Sequence, residues 1–250
     1  MDDIERLEVV LEELRLLLLA MPMVAEHTYL IGGQVLALHS KSQGGPGVIQ
    51  VETNTGVSIP RGFSLEPDLL VDVDRLVPFG EDLTKTLRDL GYRRARGHSY
   101  AKKKNGVSIQ VDLFRPEDSN DNNDPTRATR LPNSDAALAN PERLTISLPN
   151  GTLTISTPDI VGFLRLKLDA KLKHRPHQDK DSFDLWACTK HFGRDRVRTA
   201  LWSNKQYGED ILDELFKLFC ADDYDSQGVE DFSPTQARLE MKRSNWSLER

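Results

Sequence analysis

The chain has 250 residues, 38% hydrophobic and 29% charged, with a net charge of −6; that is enough for a sizeable core in one large domain or two small ones, and too acidic overall for a protein that coats nucleic acid. No apolar run approaches the ~20 residues of a membrane span, and the acidic opening Met1-Asp2-Asp3-Ile4-Glu5 is unlike the basic start of a secretory signal. Two cysteines, Cys188 and Cys220, exclude a disulfide scaffold and a zinc ribbon and suit a reducing cytoplasm.

Along the chain, Ile4, Leu7, Leu11, Leu14 and Leu18 fall at helical spacing and predict an amphipathic helix over 3–20. The β-like run Thr28-Tyr29-Leu30-Ile31 stops at Gly32-Gly33, and a helix is expected at once over 34–39. Residues 41–62, rich in Gly, Ser, Asn and Pro, read as a loop or weak hairpin. A strand is expected over 66–73, then a helix over 81–90 ended by Gly91. Residues 92–114 read as strands turning at Asn105-Gly106, a strong short-range hairpin signal. The acid- and Asn-rich stretch 116–135 reads as a mobile surface loop rather than a metal site, because consecutive acids on unfixed backbone rarely converge.

A second hairpin over 144–155 turns at Asn150-Gly151. Then the pattern changes. Pro158 opens a helix running to residue 173, Pro176 interrupts, and helices follow over 179–191, 194–203 and 209–219. A polar tail, 222–250, carries one short helical stretch at 234–243. The organisation is a mixed α/β part over 1–157, a helical part over 158–221, and the tail. Basic residues cluster at Arg93-Arg94-Ala95-Arg96, at Lys102-Lys103-Lys104 and across 167–180, patches able to bind phosphate or lie solvated.

Three acids stand out for their positions. Glu66 and Asp68, two apart on a predicted strand, share a face, and Asp112 lies near the end of another strand, between Val111 and Leu113. If the strands pair, three carboxylates converge; their repulsion is relieved by a hard cation, typically Mg²⁺ shared with substrate phosphates. Upstream, Gly32-Gly33 before a helix suits close approach to a phosphate. Asp72-Val73-Asp74 is a second acid-x-acid pair and an alternative register for the site.

Gly32-Gly33, then Ser64-Leu65-Glu66-Pro67-Asp68, then Val111-Asp112-Leu113-Phe114 resembles the core of the nucleotidyltransferase superfamily. Within it, Lys167-x-x-Ala170, Arg175 and Lys180-Asp181-x-x-Asp184-Leu185 resemble the AbiEii-type toxins of toxin–antitoxin systems. The resemblance implies an α+β fold, a small mixed sheet flanked by helices and followed by a helical C-terminal half. It also implies Mg²⁺-dependent transfer of a nucleoside monophosphate from an NTP, with tRNA as acceptor and an antitoxin protein as partner. On that reading Gly32, Gly33 and Ser64 bind the nucleotide, and Glu66, Asp68 and Asp112 hold metal. Asp112 also takes the acceptor's proton, Lys167 contacts phosphate, and Asp184 orients Lys167 or the acceptor.

The sequence departs from the family pattern at Glu66, where Asp is usual, at Pro67, which cannot donate a ladder hydrogen bond, and at Gly33, where many members have Ser. Two alternatives follow: an aminoglycoside-type enzyme acting on a small hydroxylated cation, and a degenerate module that binds nucleotide without turnover. No carboxylate or cysteine pattern makes His174 and His177 a zinc site. Phe183 and Trp186 read as core.

Overall fold

The computed structural model describes residues 2–52, 58–61, 66–76, 83–119, 128–178 and 180–220. In chain order the elements are α1 (Asp3–Ala20), α2 (Pro22–Ala25), β1 (Thr28–Ile31), α3 (Gln34–Ser42), β2 (Ile49–Glu52), β3 (Ser58–Arg61), β4 (Asp68–Val71), α4 (Val73–Leu76) and α5 (Leu83–Asp89). There follow β5 (Arg93–Arg96), β6 (Ser99–Lys104), β7 (Val107–Pro116), β8 (Thr129–Leu131), α6 (Ser134–Ala139), β9 (Glu142–Leu148) and β10 (Gly151–Thr157). The helices α7 (Ile160–Asp169), α8 (Lys180–Phe192), α9 (Arg194–Ser203) and α10 (Gly208–Cys220) complete the described chain, with a π-helical turn over Ala170–His174.

The chain divides into two compact units, Met1–Val48 with Gly62–Asp159, and Ile49–Arg61 with Ile160–Arg250. The first is built on a mixed sheet in the order β5-β6-β7-β4-β1-β10-β9, with β8 pairing to β7. The β1–β10, β4–β7 and β7–β8 pairs are parallel and the rest antiparallel.

Helix α1 opens on a reciprocal cap, Asp2 accepting from the Glu5 N–H and Glu5 accepting from the Asp2 N–H. Its Leu7, Val10, Leu11, Leu14, Leu17 and Leu18 recur every three or four residues and are buried. They join Leu30, Leu69, Val71, Val107, Ile109, Val111 and Leu113 of the strands in one apolar core. Because side chains alternate along a strand, burial of Val107, Ile109, Val111 and Leu113 turns Gln110, Asp112 and Phe114 to the opposite face of the sheet. The β6–β7 turn places Asn105 at φ 49° and Gly106 at φ 79°, the pair of positive φ angles that a two-residue hairpin requires.

Charge is also buried against this core. Glu13, on the sheet side of α1, is 2% exposed and pairs with Lys102 and, at 3.2 Å, with Lys104. The lysine run at 102–104 is therefore partly an internal anchor: Lys102 also donates to the Leu90 carbonyl at 3.0 Å and lies over the Tyr92 ring.

The second unit contains α7 to α10 and the antiparallel β2–β3 hairpin. Residues 49–61 thus group with the helices that begin at Ile160, although they interrupt the first unit in sequence. The expected cores are present: Phe183 and Trp186 are buried with ring centroids 5.5 Å apart, and α10 buries Ile211, Leu215, Leu218 and Phe219.

Several boundaries differ from the sequence expectation. Within 116–135 the structure places strand β8, because Thr129, Arg130 and Leu131 pair in parallel with Phe114, Arg115 and Pro116. Pro158 precedes rather than opens α7, whose first residue is Ile160. The stretch 120–127, the tail 221–250 with its expected helix, and Ser64 lie outside the described residues. Among the described residues no helix is long and apolar enough to cross a membrane.

Candidate active site

Asp68 is the first residue of β4 and pairs in parallel register with Asp112 of β7. Directly paired residues on adjacent strands, roughly 5 Å apart, send their side chains to the same face. Both acids therefore stand side by side on the face opposite α1, and both are half-buried. The backbone fixes the pair through the Asp112 N–H, which donates to the Pro67 carbonyl at 2.9 Å. Proline's missing donor does no harm there, since Pro67 lies ahead of the strand and serves the ladder only as an acceptor.

The neighbours of the pair are polar or small. Gln110 Nε2 donates to Asp112 Oδ1 at 3.0 Å, and buried Ser99 of β6 is the register partner of Asp112 on its other side. Gly32 follows β1, whose Ile31 pairs with Asp68. At φ 74° Gly32 is in the left-handed region, and a Cβ there would fall on the Asp68 carboxylate. Glycine is needed at 32 for both reasons. Gly33, with φ −68° and ψ −21°, sits in ordinary helical space as the N-cap of α3.

Glu66 does not share the strand with Asp68. It is exposed in a bend two residues ahead of β4, so the strand alternation that would align the two acids does not operate. The alternative pair is also off the strand: Asp72 follows β4, its N–H donating to the His27 carbonyl, and Asp74 is in the helical turn α4. Of these four acids, Asp68 is the one in register with Asp112.

Among the described residues, no group of three or more His, Cys, Asp or Glu side chains is arranged to hold a metal ion. A pair of adjacent carboxylates is nonetheless the donor set that suits Mg²⁺, which usually takes one or two carboxylates and completes its shell with water and substrate phosphates. The Asp68–Asp112 pair fits that requirement without a third protein ligand.

No protein-family model matches the chain, and no curated protein matches it. A solved structure does. The crystal structure of an antigenic nucleotidyltransferase-like protein from Paracoccidioides brasiliensis is similar at a TM-score of 0.43 and 14% identity, over 82% of this chain and 87% of that one.

Lys167 and Asp184 meet in a separate cluster in the second unit. Lys167 of α7 lies 2.5 Å from Asp184 and 3.2 Å from Asp181, both on α8 and, like the lysine, buried. Arg175 reaches the same Asp181 oxygen at 3.2 Å. The helical spacing of Asp181 and Asp184 puts both on one face of α8.

Three further buried groups lie on the same two helices and the π-helical turn between them. Lys171, 1% exposed, donates to the carbonyls of Pro176 and Gln178 at 2.8 and 3.2 Å, closing the π-helical turn. Arg165 binds Asp169 and Glu214, both at 2.6 Å, and although burial opposes its charge, these carboxylates hold it above the ordinary arginine value. The i, i+4 spacing of Arg165, Asp169 and Lys173 was the available signal. Burial, with Asp184 adding to it, pushes the Cys188 thiol well up.

Proposed function

We propose that this chain is a nucleotidyltransferase that moves a nucleoside monophosphate from an NTP to an acceptor hydroxyl. The observation that carries the proposal is the in-register Asp68–Asp112 pair beside a glycine whose Cβ-free surface faces the Asp68 carboxylate. Asp68 and Asp112 are the Mg²⁺ ligands on this reading, with Glu66 as an outer carboxylate. The ion, when bound, would neutralise phosphate charge and clamp the reacting oxygens. Gln110 holds one Asp112 oxygen and leaves the other for metal or for the acceptor's proton. Gly32 and Gly33 let the backbone approach phosphate, with Ser64 assigned to the nucleotide by the family resemblance alone.

The likeness of residues 167–185 to AbiEii-type toxins extends the proposal to tRNA as acceptor and an antitoxin as partner. The same likeness gives Lys167 a phosphate contact and Asp184 the task of orienting that lysine. Two of the three ammonium hydrogens of Lys167 meet carboxylates, which leaves one for phosphate. A second reading, nucleotide binding without turnover, is favoured by the exposed position of Glu66 off the strand.

The test incubates protein with each α-³²P-labelled NTP, Mg²⁺ and total tRNA, beside Asp68→Asn, Asp112→Asn, Glu66→Ala and Lys167→Met. The expected result is label on tRNA from one NTP, abolished by EDTA and by either Asp substitution. Binding without transfer to tRNA or to small hydroxylated cations would select the second reading. Transfer that survives Asp68→Asn and Asp112→Asn would refute the site.

A further inference from the structure

A pair of rings lies on the same sheet face as the two acids. Phe114 follows Asp112 by two residues on β7, so it shares that face at a separation of roughly 7 Å. The His98 ring packs against it, centroids 5.2 Å apart and planes inclined by 52°. His98 occupies the turn before β6, at the point along β7 where pairing passes from β6 to β8. Its backbone carbonyl accepts from the Leu113 N–H at 3.1 Å, and its Nδ1 is 2.7 Å from Thr129 Oγ1. The register of Thr129 with Phe114 sets that hydroxyl beside the ring pair.

His98 is thus held at three points, its backbone by Leu113 and its ring by the Thr129 hydroxyl and by Phe114, yet it is only half-buried. Such fixation is more than a surface turn requires. A fixed aromatic surface costs little further entropy when a second ring stacks on it, and every nucleobase offers a π-face.

We propose that His98, seated on Phe114 and fixed by Thr129, is the stacking surface for a nucleobase of a substrate that reacts at the Asp68–Asp112 pair. This rests on the proposed transferase reading. The base belongs either to the NTP or to the terminal nucleotide of an RNA acceptor, and the two sources share one chemistry. His98 Nε2, pointing away from the Thr129 bond, supplies a hydrogen bond to the heterocycle edge or ribose.

The experiment measures equilibrium binding, in Mg²⁺, of the four NTPs, a short RNA oligonucleotide and tripolyphosphate, which has the phosphates and no base. Wild type is compared with His98→Ala and His98→Phe. Loss of the stack in His98→Ala is expected to weaken NTP binding about tenfold with tripolyphosphate binding unchanged, and His98→Phe to restore most of it. If the tenfold loss falls on the RNA and not on the NTPs, the base is the acceptor's and the proposal stands in that form. An equal loss for tripolyphosphate, or no loss for any ligand with a base, overturns it. Wild-type protein that binds no tripolyphosphate overturns the transferase reading itself, and the stacking role with it.

Discussion

Replacing Gly32 by Ala tests whether the turn between β1 and α3 is built around the Asp68 carboxylate. At φ 74° an alanine costs about 1–2 kcal/mol in the left-handed region. Its Cβ would land on the Asp68 carboxylate, and turning that side chain off its rotamer costs roughly a further 0.5–1.5 kcal/mol. Against these stands about 0.4–1 kcal/mol from restricting the unfolded chain. The net expectation is a loss of about 1–2.5 kcal/mol. Gly33→Ala is the internal control for backbone strain: the φ of −68° and ψ of −21° at Gly33 suit any L-residue, so the left-handed penalty is absent there.

Urea unfolding of both variants checks this. The midpoint of Gly32→Ala should fall by roughly 1 M at unchanged slope, given slopes of about 1–3 kcal/mol/M, and further than that of Gly33→Ala. Displacing Asp68 should also weaken Mg²⁺-dependent nucleotide binding by Gly32→Ala. Equal midpoints for the two variants would refute the reasoning, because the backbone and the Asp68 contact would then make no demand on residue 32.

Two further outcomes follow from buried charge. Glu13→Gln leaves Lys102, whose side chain is 12% exposed, without its carboxylate, and removal of one partner of a buried pair costs about 3–5 kcal/mol. Denaturant unfolding should register a loss of that order, and a change below 1 kcal/mol would mean that the Lys102 ammonium is solvated. For His191, burial and then Arg196 depress the imidazole below its ordinary 6.5. The unfolded chain therefore takes up this proton first, so the contribution of His191 to stability is intact above pH 6.5 and is lost as pH falls through the depressed folded value. His191→Gln should flatten this part of the acid limb of stability against pH; an unchanged limb would assign it to other groups.

Periodicity and turn chemistry were legible because they are local. The i, i+3, i+4 leucines of α1, the Asn105-Gly106 turn and the alternation through Val111-Asp112-Leu113 each act within a few residues, and each is found where it was expected. Asp112 was readable for the same reason, as an acid among β residues whose neighbours on either side are core.

What the sequence could not decide was pairing across distance. Asp68, and not Asp72 or Asp74, stands beside Asp112 because β4 lies parallel to β7 with residue 68 opposite 112, and that register depends on contacts between segments some forty residues apart. Glu66 has the spacing of a strand acid, but the strand begins at Asp68, where pairing with Ile31 and Asp112 starts. The lysines at 102 and 104 read as solvated until α1 brings Glu13 beneath them. His98 carried no signal at all, since what marks it is the meeting of the β5–β6 turn with Phe114 and Thr129, three segments that only the folded sheet brings together. Local spacing determines which faces exist; the long-range register of the sheet decides which residues share one.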